Sequence, residues 1–135
     1  YTQNGSPCVE GDSRKRIHAK FYIEPGSSPL SEPVRDWLRS LPKDEMQEIG
    51  RDIRVVEMSW PRVQDVRPRL VDYLGGDLWE VRVHLRNRIA RVLFSVETGA
   101  IMLLLHGFVK KTRTTPRHDI DLALTRLKRA RRSVR

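Results

Sequence analysis

The chain of 135 residues has one cysteine, Cys8, so no internal disulfide can form. A lone thiol fits a reducing compartment, and it cannot build a zinc site. Cys8 sits in a Gly/Ser/Pro-rich stretch and reads as incidental rather than catalytic. Long apolar runs are missing as well. The densest, Ile101–Leu105, has the length of a buried strand, far short of the roughly 18 to 20 residues that cross a bilayer. The N-terminus is polar and shows no secretory signal, so the expectation is a cytoplasmic protein without membrane contact. Acidic residues are sparse, 17 Asp and Glu against 26 Lys and Arg, which argues against a carboxylate cage for a catalytic metal. The four histidines, His18, His84, His106 and His118, lack ligand spacing. No Gly-rich phosphate loop, nucleophile elbow or aromatic RNA-binding signature is present. Neither a metal nor a cofactor is expected.

What the chain does have is positive charge, concentrated at one end. Its net charge is +9, and His106–Arg135 carry +8 of it through Lys110, Lys111, Arg113, Arg117, Arg126, Lys128, Arg129, Arg131, Arg132 and Arg135, opposed only by Asp119 and Asp121. Such a field attracts polyanions, because each phosphate neutralised releases condensed counterions. Nucleic acid is the first partner to consider, against the plainer alternative of a solvated basic surface that aids solubility. With 39% apolar and 32% charged residues, the chain has the composition of one soluble domain with one core.

Residues 1–15 read as a flexible lead, 16–130 as a single domain and 131–135 as a basic tail. Ile17, Ala19, Phe21 and Ile23 alternate as a strand does, and Pro25-Gly26-Ser27-Ser28 breaks the chain. Val34, Trp37, Leu38 and Leu41 fall at helical spacing with Ser31 as a cap, and Pro42 ends that helix. Met46, Ile49, Ile53 and Val56 form the stripe of a second helix. From Leu70 the period becomes two. Leu70–Leu74, Leu78–Leu85, Arg88–Val96 and Ile101–Val109 read as a four-strand meander, with turns at Gly75-Gly76, Arg86-Asn87 and Thr98-Gly99. Thr114-Thr115-Pro116 then opens a basic helix whose apolar face holds Ile120, Ala123, Leu124 and Leu127. The expected order is βααββββα. This is an α+β domain: an antiparallel sheet packed by a helical hairpin, with a C-terminal basic helix.

An Arg86-Asn87 turn sets Trp79 opposite Phe94, Val81 opposite Val92 and Val83 opposite Ala90, all apolar as a core face requires. The other face then pairs Arg82 with Arg91. A two-residue Thr98-Gly99 turn would set Phe94 opposite Leu103, Val92 opposite Leu105 and Arg91 beside His106, giving a row Arg82–Arg91–His106. Met102, Leu104 and Phe108 would share the His106 face, so part of that face needs a cover. Facing arginines cost up to about 1 kcal/mol, which points to a task such as gripping phosphate, unless Glu80 and solvent neutralise them.

Arginines and a histidine in a row, near lysines, are what metal-free transesterification of RNA requires. The ribose hydroxyl attacks the adjacent phosphorus, so the site must take one proton, give another and stabilise added negative charge. Arginine suits the last role and histidine either proton transfer.

Leu78-Trp79-Glu80-Val81-Arg82, Arg88-Ile89-Ala90-Arg91-Val92-Leu93-Phe94, and Leu105-His106-Gly107-Phe108-Val109-Lys110-Lys111-Thr112 with Thr115-Pro116, preceded by Pro33-Val34-Arg35-Asp36-Trp37-Leu38 and Leu41-Pro42, resemble the HigB-like, phage-derived branch of the RelE toxin superfamily. The resemblance runs from about Ile17 to Leu127. It implies a RelE-like fold and a type II toxin: a ribosome-dependent endoribonuclease that cuts mRNA and arrests translation. It also implies a cognate antitoxin, in this branch often a small helix-turn-helix protein, through which alone the toxin would meet operator DNA. An acidic segment of that antitoxin is expected to offset the basic site. The family's basic residues carry over to Arg82, Arg91, Lys110 and Lys111. RelE itself has a catalytic tyrosine near its C-terminus, whereas the tyrosines here are Tyr1, Tyr22 and Tyr73. General base and general acid stay unassigned, with His106 or a lysine as candidates. Arg88, Arg113, Arg117, Arg126, Lys128 and Arg129 are the expected RNA contacts. The alternative is a non-catalytic basic domain of the same fold that binds nucleic acid or an acidic partner.

Overall fold

The computed structural model describes residues 14–110 and 114–133. Strand β1 (His18–Phe21) is followed by helices α1 (Pro33–Arg39), α2 (Lys43–Ser59) and the one-turn α3 (Val63–Val66). Strands β2 (Val71–Gly75), β3 (Leu78–His84), β4 (Ile89–Glu97) and β5 (Ile101–Lys110) come next, then helix α4 (Arg117–Ser133). The strands form one five-stranded sheet in the order β1-β5-β4-β3-β2. Four of them make the expected antiparallel meander. β1 instead runs parallel to β5, with His18 opposite Ile101 and Phe21 opposite Leu104, so the sheet is mixed rather than antiparallel. The α1–α2 hairpin between β1 and β2 carries the chain across the sheet, and that crossover allows the parallel pairing.

The α+β architecture has three layers. On one face of the sheet, Val34, Ile49, Ile53, Val56, Val63 and Leu70 pack on Val81, Val83, Ala90, Val92, Phe94, Met102 and Leu104. On the other, α4 presents Ala123 and Leu127 to Tyr22, Leu78, Leu93 and Leu105. Burying each large aliphatic side chain contributes about 1.5–3 kcal/mol, so α4 is held chiefly by this stripe. The outer edge of β1 is closed by Glu57 at the end of α2, whose Oε2 accepts the Ala19 N–H at 2.7 Å and whose carboxylate also meets Lys15 Nζ at 3.2 Å. That contact occupies a strand edge otherwise open to another chain.

Several local expectations shift. α1 starts after Glu32 without a side-chain cap; Ser31 instead pairs with Glu24 through the backbone. Ile23 is 44% exposed, outside the alternation that buries Ile17. α3 is an additional turn of helix. Pro116 lies just before α4, where its carbonyl accepts from the Asp119 N–H at 3.1 Å. The expected basic tail is helical as far as Ser133, and Arg131 in it binds Glu97 at 3.0 Å.

The β3–β4 register is the expected one, with Arg82 opposite Arg91 and Trp79 opposite Phe94. The β4–β5 register is not. Glu97 faces Ile101, so three residues turn the chain, with Gly99 at φ 90° and Ala100 at φ 59°. Further along, the register shifts again: Phe94 faces Leu104 but Leu93 faces His106, which leaves Leu105 as a bulge residue. Arg91 therefore faces Phe108, not His106. Met102 and Leu104 belong to the core beneath the helical hairpin, and only Phe108 remains on the His106 side. A bulge adds one residue to one strand, so the alternation inverts beyond it. Without it His106 would point into the α1–α2 core. Gly107 takes the core-facing place, where a Cβ would sit 2.3 Å from the Trp37 ring.

Candidate functional site

Glu80, Arg82 and Arg91 share the α4 side of β3 and β4, since Arg82 pairs with Arg91 and Glu80 with Leu93. Glu80 is 1% exposed and Arg91 2%. A carboxylate taken out of water needs a partner for each oxygen. Here Arg91 Nη1 lies 3.5 Å from both Glu80 oxygens, Arg82 Nε donates to Oε2 at 3.1 Å, and the Thr115 hydroxyl donates to Oε1 at 2.5 Å. The same hydroxyl accepts from Arg91 Nη1 at 2.9 Å. Thr115 thus closes the cluster from the segment leading into α4. Arg82, its side chain 29% exposed, reaches outward to Asp72 on β2. The facing arginines are neutralised by Glu80 and Asp72 rather than left as open charge. Arg82 is the accessible member of the pair, and Arg91 lies beneath Thr115.

A second polar contact lies beside this cluster. His106 Nε2 is 2.7 Å from Oδ1 of Asp119, a carboxylate only 5% exposed in the first turn of α4. The imidazole stacks on Phe108, with centroids 5.2 Å apart. Burial holds the His106 pKa below the usual histidine value; Asp119 opposes that shift, while Arg126 and His118 add to it. The shift favours the neutral ring, in which a bond to a carboxylate calls for the proton on Nε2. His118 Nε2 approaches the other Asp119 oxygen at 3.3 Å.

The remaining expected site residues that the structure describes lie on several elements. Lys110 is at the end of β5, its backbone paired with Ile89. Lys111 and Arg113 lie outside the described residues. Arg88 turns to Glu45 on α2, away from the His106 side. Arg126 donates to the Leu105 carbonyl at 2.8 Å and lies over the Tyr22 ring; burial lowers its pKa first of all, so it serves the α4 packing. Arg129 pairs with Glu24 at 2.9 Å and Arg117 with Asp121 at 3.0 Å. Lys128 is exposed on the outer face of α4. Among the described residues, Arg88, Arg117, Arg126 and Arg129 each hold a partner of their own, outside the Arg82–Glu80–Arg91 cluster.

Sequence reasoning treated Glu80 only as a neutraliser, and it missed Thr115, Asp119 and Asp72 as site residues. A signal for Asp119 was present: it occupies the same helical stripe as Ala123 and Leu127, where a carboxylate needs a buried partner. Among the described residues no group of three or more His, Cys, Asp or Glu could hold a metal ion, and no helix is long and apolar enough to cross a membrane.

The family model of phage-derived Gp49-like proteins (DUF891) matches residues 36–128, from α1 to α4 and across every residue of both contacts. The chain belongs to the Gp49-like family. That family is toxin-like and falls within the RelE group of toxin–antitoxin toxins. No curated protein matches the chain. In this Gp49-like protein the Arg82–Glu80–Arg91 cluster and the His106–Asp119 contact adjoin on the sheet face that α4 covers.

Proposed function

We propose that the chain is the toxin of a type II toxin–antitoxin system: an endoribonuclease of the HigB-like branch, RelE-like in arrangement, that cleaves mRNA on the ribosome by metal-free transesterification. Its partners are ribosome-bound mRNA and a cognate antitoxin, a small helix-turn-helix protein with an acidic segment that links it to operator DNA. The observation that carries the reading is the cross-strand Arg82–Arg91 pair in a chain of a toxin-like family. Forked guanidinium donors fit the two non-bridging oxygens of a phosphodiester. Arg82 is exposed enough to exchange Asp72 for a phosphate, and Arg91 is held beneath it by Glu80 and Thr115. The 2′-oxygen bonds to phosphorus as its proton leaves. The bond to the 5′-oxygen then breaks and that oxygen takes a proton, leaving a 2′,3′-cyclic phosphate and a 5′-hydroxyl.

A second reading, a basic domain that binds without cutting, is favoured by the burial of Arg91 and its engagement by Glu80. Tightly repressed expression in a bacterial host separates the two. The toxin reading expects growth to stop on induction of the wild-type chain and to continue with a soluble Arg82→Ala variant. Normal growth despite soluble wild-type protein and no antitoxin contradicts it.

A further inference from the structure

The β5 bulge brings His106 out of the α1–α2 core and onto the face that carries Arg91. Bulges commonly re-aim a side chain beside a functional site. Beyond the bulge the register is regular, Arg91 facing Phe108 and Leu93 facing His106, so Arg91 and His106 are diagonal neighbours. Such neighbours lie about 7–8 Å apart at their Cα atoms. Arg82, the accessible arginine, lies on the same face one strand beyond Arg91, so an RNA chain whose phosphate meets Arg82 can lay the adjacent ribose toward His106. The imidazole is fixed by the Phe108 ring on one side and by the 2.7 Å bond to Asp119 on another, with its side chain still 14% exposed.

From this geometry we infer that His106 is the general base of the cleavage and that Asp119 is its positioning residue. Asp119 keeps the ring in the Nε2–H tautomer, so that Nδ1 carries the lone pair. The inference rests on the mRNA-cleavage reading and adds to it the base that the sequence left unassigned. In the step it performs, Nδ1 takes the proton of the 2′-hydroxyl while the 2′-oxygen bonds to phosphorus. The 5′-oxygen departs with a proton from solvent or a neighbouring cation. A buried carboxylate on the far nitrogen of a catalytic imidazole fixes ring orientation and stabilises the imidazolium that forms. Among the described residues, the charged or titratable groups around the ring include Asp119, His118 and Arg126 on α4 and Arg91 on β4.

The test combines two readouts. Nitrogen-15 NMR of the histidines at pH 7.5 reports the tautomer. His106 is expected with a protonated Nε2 and a bare Nδ1 in the wild type, as a tautomer mixture in Asp119→Ala, and restored in Asp119→Glu. A wild-type His106 with the proton on Nδ1 overturns the assignment. Single-turnover cleavage of a defined mRNA on purified ribosomes gives the second readout. His106→Gln is expected to lose about 100-fold or more in rate, the usual scale for a positioned base. Asp119→Asn is expected to lose about tenfold or more, at unchanged ribosome affinity, with the midpoint of its pH–rate profile moved down. That shift follows because the carboxylate raises the His106 pKa while burial, which lowers it, remains. Cleavage by the wild type with His106→Gln equally active overturns the base assignment alone. Asp119→Asn with an unmoved midpoint removes the positioning role. No cleavage by the wild type overturns the nuclease reading and this assignment with it.

Discussion

Arg82 and Arg91 face each other, yet their environments give them different consequences. Arg91 shares a buried ion pair with Glu80, so Arg91→Ala removes that carboxylate's fully buried counter-charge and is expected to cost about 3–5 kcal/mol. Arg82 is more exposed but also donates to the buried Glu80, so Arg82→Ala is expected to cost less, about 1.5–3 kcal/mol. Urea denaturation of both variants checks this contrast; equal losses would contradict it. For this reason Arg82, not Arg91, is the variant with which to probe function. His106 gives a pH prediction. Its pKa is lowered in the folded chain, so its contribution to stability is full above the unfolded value of about 6.5. As pH falls below that value the unfolded chain takes the proton first, and stability drops until the pH passes the folded value. Denaturation at pH 7.5 and 5.5 is expected to show a loss that His106→Gln reduces; an undiminished loss would contradict it. The facing arginines were legible because apolar alternation on the opposite side of β3 and β4 forces them together. Their buried counter-ion network was not, because Thr115 reaches Glu80 across 35 positions of sequence.

At the scale of elements, β5 departs most from its sequence pattern. Periodicity of two places all of Met102, Leu104 and His106 on one side, and nothing in a run of Met, Leu and His marks where an extra residue enters. Gly107 is the one local trace. It is small because Trp37 of α1 occupies the space a side chain would take. Gly107→Ala is therefore expected to force the indole aside and cost about 1–3 kcal/mol, the usual range for overpacking. Chemical denaturation tests it, with Trp fluorescence reporting the displaced ring; an unchanged midpoint would contradict the close approach. α4 was legible as an amphipathic helix from Ile120, Ala123, Leu124 and Leu127, but not the face it covers. Its anchor Leu127 is 3% exposed against the sheet. Leu127→Ala is expected to cost about 2–5 kcal/mol and to speed amide exchange in α4 more than in β3 and β4. The parallel pairing of β1 was also hidden, since a short strand before two helices carries no signal of the strand beside which it will lie.

For the whole molecule, charge is uneven along the sequence but less so in space. Arg117, Arg129 and Arg131 of the basic segment meet Asp121, Glu24, Glu97 and Asp77, so part of the C-terminal excess stabilises the domain rather than awaiting a partner. The net charge of +9 nevertheless persists at long range. Association with ribosomes is expected to weaken steeply as salt rises from about 50 to 200 mM, as it does when several phosphates are contacted. Growth arrest by mRNA cutting, the function proposed for this Gp49-like chain, is checked by mapping mRNA 5′ ends after brief induction. New ends in phase with codons are expected within minutes of wild-type induction, and none with Arg82→Ala at equal soluble protein. Intact mRNA in wild-type cells, or the same ends from the Arg82→Ala variant, would contradict it.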